Sequence, residues 1–331
     1  MSNFLIRLLW PRSKTRSYIL QLPVELLVEI FSFLPPYSQL LIYQTCRPLR
    51  AIIHRYFLTG EGILVTPNDR LLYLTHLARS LPDRWVCAKC FKLHQTCSWD
   101  TPSFRPKYYP KCGDGKNWDL ERHDESQIFF NYQYFLAHRH IELTLKYTRL
   151  ESQKRIHQKH LKRLLTPYHA PATQRPADID VAENILSQRS FYPKVVDGRY
   201  LLLTVQTYLG IGTTVSRQSI KFIILCPHLC SFTSFRFRNG LKLDLDMILY
   251  MGFSAPLKFR SFFPCLACST DVCIQTSPER VVICTWQDLG PEGTVYDPNW
   301  EAIVRNTTSI HHENGSIRGL YGQHEHSGEI Y

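Results

Sequence analysis

At 331 residues the chain is long enough for about two domains with real hydrophobic cores. A content of 44% hydrophobic and 20% charged residues excludes wholesale disorder and a coiled coil. The net charge of +11 permits an acidic partner without requiring one, and no apolar run reaches the ~18–20 residues that span a bilayer, so no membrane association is expected.

Residues 1–17 read as a basic extension. Arg7 interrupts the short apolar stretch, and Arg12, Lys14 and Arg16 follow it, the reverse of the order in a secretory signal. The 11 cysteines are then expected as thiols in a reducing compartment, cytoplasmic or nuclear. A helix is predicted after Pro23, which suits the first position, and it stops at Pro35-Pro36. Glu25, Glu29 and Ser32 form one polar stripe along it, while Leu26, Leu27, Val28, Ile30, Phe31, Phe33 and Leu34 cover the remainder. A second short helix is predicted over Tyr37 to Gln44. A third starts at Pro48, with Leu49, Ile52, Ile53, Tyr56 and Phe57 at helical spacing. Three short helices cannot bury that much apolar surface among themselves, so either the rest of the chain or a partner must cover it.

The run Leu22-Pro23-x-Glu25-Leu26-x-x-x-Ile30-x-x-x-Leu34 resembles the F-box, the module that docks substrate receptors on the Skp-type adaptor of cullin–RING ubiquitin ligases. The resemblance covers residues 18–60. It implies a three-helix domain that binds such an adaptor through Leu22, Pro23, Leu26, Ile30 and Leu34, with an unknown protein substrate recruited by the remainder.

Beyond Gly60-Glu61-Gly62 a helix is predicted from Asp69 to Leu81, followed by the pair Cys87-x-x-Cys90. Residues 97–124 read as an irregular loop, and Gln127 to Leu165 as long-helical. Pro167, Pro171 and Pro176 break the chain before a short helix near Asp178–Gln188. Strand patterns then take over. Asp197-Gly198 is a hairpin turn leading into the apolar run Leu201–Leu209, and Ser219–Cys226 is a further strand. Phe235–Leu245 alternates across Asn239-Gly240; Val272–Thr276 and Val281–Trp286 complete an antiparallel sheet. From Asn306 the chain is polar and reads as disordered. The expected fold class is therefore α+β: a three-helix F-box at 18–60, then a mixed domain at 61–304, helical over 125–165 and β-rich over 190–290, and a disordered tail at 305–331. The order of the F-box, cysteine pair, Asp-Gly hairpin, Cys226-Pro227-His228, Cys265-x-x-Cys268-x-x-Asp271 and Trp286-Gln-Asp-Leu-Gly290 is similar to that in F-box proteins of filamentous ascomycete fungi. That resemblance implies the same architecture and supplies no substrate.

Cys87-x-x-Cys90 and Cys265-x-x-Cys268 each offer two thiolates at knuckle spacing. Together these four would bind one structural zinc ion and tie the helical part to the sheet. Cys97, Cys112, Cys226, His228 and Cys230 compete as ligands, and plain buried thiols are the alternative. His140-x-Glu142 and Pro264-Cys265-x-x-Cys268 are pieces of a zinc-deaminase signature, set about 120 residues apart without a βαβ unit between them. With no phosphate-binding loop or nucleophile motif either, an enzyme is not expected. The stretch Arg139–Arg163 holds eight Lys/Arg against Glu142 and Glu151. It reads as a solvated or protein-facing basic helix; the alternative is a zinc-stabilised basic module that binds nucleic acid, the less favoured partner.

Overall fold

The computed structural model describes residues 18–58, 66–103, 127–130, 134–151, 154–172, 184–220, 223–230, 245–254, 259–304 and 308–322. The chain divides into two compact units, the first ending at Tyr73 and the second beginning at Leu74.

The first unit is helical. A 3-10 turn at Tyr18–Gln21 leads into α1 (Val24–Ser32), α2 (Pro36–Tyr43) and α3 (Arg47–Tyr56); α4 (Pro67–Ala78) begins in this unit and crosses into the second. Pro36 sits in the first turn of α2, where the amide hydrogen it lacks would have no helical acceptor. Gln39 reaches back from α2, its Nε2 donating to the carbonyls of Phe31 and Leu34 at 3.0 Å each. Both carbonyls lie at the end of α1, where the helix runs out of amide donors, although that of Phe31 also accepts the Leu34 amide at 3.1 Å. Leu27 and Phe31 of α1 meet Leu49 and Ile53 of α3 in a small core, with Leu34, Leu40 and Phe57 packed against it. Each fully buried side chain there contributes about 1.5–3 kcal/mol.

The second unit is mixed. Its first strands are β1 (Arg84–Cys87), β2 (Lys92–Gln95), β3 (Gln127–Phe130) and β4 (Tyr134–Ala137), paired as two antiparallel hairpins. Helices α5 (His138–Leu150) and α6 (Arg155–Leu164) follow, and then β5 (Tyr168–His169), β6 (Ile185–Val196), β7 (Arg199–Gly210), β8 (Ile224–Cys226), β9 (Leu229–Cys230) and α7 (Leu245–Ser254). The chain continues through β10 (Phe259–Pro264), β11 (Thr270–Thr276), β12 (Arg280–Pro291), α8 (Pro298–Val304) and α9 (Ser316–Gly322). Six of these strands form one antiparallel sheet in the order β10-β11-β12-β7-β6-β5.

The predicted Asp197-Gly198 turn joins β6 to β7, with positive φ at both residues (48° and 71°), as a two-residue hairpin of this hand requires. On one face of the sheet Leu201, Leu203 and Val205 of β7 join Val282, Cys284 and Trp286 of β12, and Ile317 and Tyr321 of α9 close over them. Helix α5 packs against β4, β6 and β7.

The α+β class stands, and several elements within it differ from expectation. The long-helical stretch from Gln127 is a β-hairpin followed by two helices, separated where Glu151 takes a left-handed conformation (φ 43°). Tyr134, Phe135, Leu136 and Ala137 are all buried, and a short continuous apolar run carries no period that separates strand from helix. Residues 185–188, expected at the end of a short helix, belong to β6. Among the described residues of the strand expected over Ser219–Cys226, Ile224–Cys226 form one. The alternation across Asn239-Gly240, Cys112, the basic extension 1–17 and residues 323–331 lie outside the described residues. Residues 308–322 are not a disordered tail: α9 is seated on the sheet and anchored by Asp271. Polar composition concealed this because only Ile317, Leu320 and Tyr321 face the sheet, too few to mark a core segment. Among the described residues, no helix is long and apolar enough to cross a membrane.

Candidate functional site

Helix α1 presents three stripes, as residues 100° apart around the axis dictate. Leu27 and Phe31 point into the unit, and Glu25, Glu29 and Ser32 make a polar edge. The third stripe is apolar and open: Leu22, Leu26, Ile30 and Phe33 are 38%, 47%, 44% and 81% exposed. Tyr18, Ile19 and Leu20 extend it toward the N-terminus, also exposed. Contiguous apolar surface of this kind marks an interaction site more often than a neutral exterior. Of the five residues read from the sequence, Leu22, Pro23, Leu26 and Ile30 lie on this surface. Leu34 does not; it packs against the core of the unit. Phe33 takes its place at the end of the stripe, and its spacing of three from Ile30 was the available signal.

The basic stretch is two different things. On α5, Arg139 and Lys146 are buried. Arg139 makes a two-pronged bond to Asp100, Nε to Oδ2 at 2.7 Å and a terminal nitrogen to Oδ1 at 3.0 Å. Nδ1 of His140 accepts the Ala137 amide at 3.1 Å, which makes Nε2 the donor to Asp100 at 2.9 Å. Burial alone would push the Asp100 carboxyl up, but the hydrogen bonds from His140 and Arg139, with the Arg139 charge, hold it well below the usual carboxylate range. Lys146 donates to Glu142 at 3.1 Å and to the Arg84 carbonyl at 2.6 Å, and Glu142 accepts the Val86 amide at 3.2 Å. Arg139, Lys146 and the His140-x-Glu142 pair are thus consumed inside the unit, while the exposed Arg149 of the same helix pairs with Glu292 at 2.6 Å. The expected exposed basic face survives only on α6, where Arg155, Lys159, Lys162 and Arg163 face solvent while His157, His160 and Leu164 turn inward.

The cysteines form two separate clusters, and the pairs expected to share one ion fall into different ones. Cys87 and Cys90 flank the turn between β1 and β2 and are joined by His94, whose Nε2 lies 3.0 Å from Cys90 Sγ. Cys265 and Cys268, in the turn between β10 and β11, meet Cys226 and His228 from the β8–β9 turn. The four donor atoms of this second cluster all lie within 4.8 Å of one another and all four residues are buried. Burial pushes the Cys226 thiol up, while donation from Cys226 and then Cys268 pulls Cys265 down. Both clusters could hold a metal ion. Each pair finds a histidine close to it in the fold: His94 follows Cys90 by four residues along the chain, whereas His228 reaches Cys265 and Cys268 from a separate turn, which spacing could not reveal.

Residues 19–58 match the family model described as F-box-like. No curated protein and no solved structure matches the chain.

Proposed function

Because the chain is an F-box domain-containing protein, we propose that its first unit docks on a Skp-type adaptor of a cullin–RING ubiquitin ligase while the unit from Leu74 onward recruits the protein to be modified. The F-box-like domain carries the coarser conclusion, a role in substrate recognition for ubiquitin ligation. The observation that supports the finer one is the open stripe Leu22, Leu26, Ile30 and Phe33, left uncovered by a core that uses only Leu27 and Phe31 of the same helix. In this reading the protein positions a substrate and performs no chemistry itself, and it works in the cytoplasm or nucleus. The alternative, a basic module for nucleic acid, loses support because Arg139 and Lys146 are spent on buried carboxylates.

Leu26→Asp with Ile30→Asp tests the reading. The two substitutions remove apolar contact worth about 3 kcal/mol or more and strand charge in the interface, a loss of a hundredfold or more in affinity. Both side chains point outward, so the unit should keep its helical circular dichroism. Adaptor should cease to co-purify with the variant; recovery at wild-type levels defeats the reading.

A further inference from the structure

The β8–β9 turn and the β10–β11 turn each bring two donors to one point: Cys226 and His228 from the first, Cys265 and Cys268 from the second. Cys226 Sγ lies 3.7 Å from Cys265 Sγ and 3.9 Å from His228 Nδ1. A tetrahedral zinc ion, with Zn–S of about 2.3 Å and Zn–N of about 2.0–2.1 Å, sets ligand-to-ligand edges of roughly 3.6–3.8 Å. The sulfur–sulfur separation matches such an edge, the sulfur–nitrogen one is a few tenths of an ångström longer, and 3.7 Å is far beyond the ~2.05 Å of a disulfide. Donors that suit thiolates stand around the cluster: the Ala267 amide points at Cys265 Sγ at 3.4 Å, and Thr270 Oγ1 is 3.1 Å from Cys268 Sγ.

We propose that Cys226, His228, Cys265 and Cys268 bind one structural Zn²⁺ that fastens the β8–β9 hairpin to the turn of the main sheet. Four protein donors complete the tetrahedron, so the site has no open position for a substrate or water and serves structure alone. On binding, the thiol protons leave to bulk water and the ion is held by three thiolates and a neutral imidazole. The hairpin needs such a fastening. Its strands are three and two residues long, and two bonds that link it to the sheet, Gln206 Nε2 to the Ile224 carbonyl at 3.3 Å and Gln287 Nε2 to the Leu225 carbonyl at 3.4 Å, are long. The same turn supports the chain's last described segment, since the Ala267 carbonyl accepts the Ile310 amide at 3.1 Å. Among the described residues the Cys87, Cys90 and His94 cluster offers three donors, one short of a closed site, and the proposal does not extend to it.

The test is metal content and Co²⁺ spectroscopy on the full chain. The purified protein should carry zinc, and Cys226→Ser and Cys268→Ser should each lose one equivalent while Cys87→Ser retains it. After chelation, titrated Co²⁺ should give the intense visible bands of a tetrahedral site with thiolate-to-cobalt charge transfer, displaced by Zn²⁺. The serine variants could lose metal through misfolding, so His228→Cys supplies the independent readout: it should still bind one Co²⁺ at this site, with stronger charge-transfer absorption from a fourth thiolate. Unchanged zinc content in Cys226→Ser, octahedral Co²⁺ in the wild-type chain, or a His228→Cys spectrum identical to wild type would each overturn the assignment.

Discussion

Asp100 is 1% exposed and holds Arg139 and His140 at once. A fork of this kind is strong because the guanidinium plane matches both carboxylate oxygens. Taking away the carboxylate strands a buried cation, so Asp100→Ala should destabilise the second unit by about 3–5 kcal/mol in urea unfolding. The pH dependence has a definite sign. The folded pKa of Asp100 is depressed, so its contribution is complete above the unfolded carboxylate value of about 3.9 and is lost as pH falls toward the folded one. The gap between wild type and Asp100→Asn should therefore be constant near neutrality and close below about pH 4. His138 works in a neighbouring window. Burial pushes its pKa down to about 4, only partly countered by a hydrogen bond to the Thr294 backbone, so the native state stays neutral where the unfolded chain takes a proton. Stability is full above the unfolded histidine value of about 6.5 and declines by about 3 kcal/mol as pH falls to about 4. His138→Gln should flatten the plot of urea midpoint against pH in that interval, and an unchanged slope would refute the assignment.

Among the elements, turns were the most legible and partners the least. Asp197-Gly198 announces its hairpin because positive φ is a property of residue type, and the apolar run after it forms a strand as expected, while the strand before it starts inside a segment read as helix. Gly290 carried no such announcement, although its φ of 98° is as demanding. A Cβ there would meet Asp297 Oδ1 at 2.4 Å, and that carboxylate caps α8 by accepting the Asn299 amide at 2.9 Å. Around Gly198 the space is open. Gly198→Ala should thus cost about 1–2 kcal/mol from backbone strain alone, and Gly290→Ala clearly more, with the larger drop in melting temperature. The helices α5 and α6 were legible as helices but not in their environment. A count of charges along Arg139–Arg163 suggested a surface, and nothing local to that stretch signals that Asp100 arrives from 39 residues upstream. The same holds for the thiols: knuckle spacing within each pair was plain, whereas the choice of partner depends on which turns the sheet brings together.

The whole molecule puts two solutions to apolar surface in one chain. The second unit covers its sheet on both sides, whereas the first leaves the line from Leu22 to Phe33 exposed. That contrast was visible early, because an α1 apolar around most of its circumference had too few neighbours to hide it. What composition misjudged was the far end of the sequence, and there Asp271 has a practical consequence. This buried carboxylate on β11 receives the amides of Gly315, Ile317 and Arg318 at 2.9–3.0 Å and His312 Nε2 at 3.2 Å. A stop codon after Val304, at the place where polarity invites one, would remove all four donors and uncover Leu203 and Trp286. A buried carboxylate left unmatched costs several kcal/mol on top of the lost apolar cover, so the shortened chain should be recovered largely insoluble, while one ending after Gly322 should stay in solution. Anyone trimming this gene for expression would be cutting into a load-carrying wall that is dressed, in sequence, as loose trim.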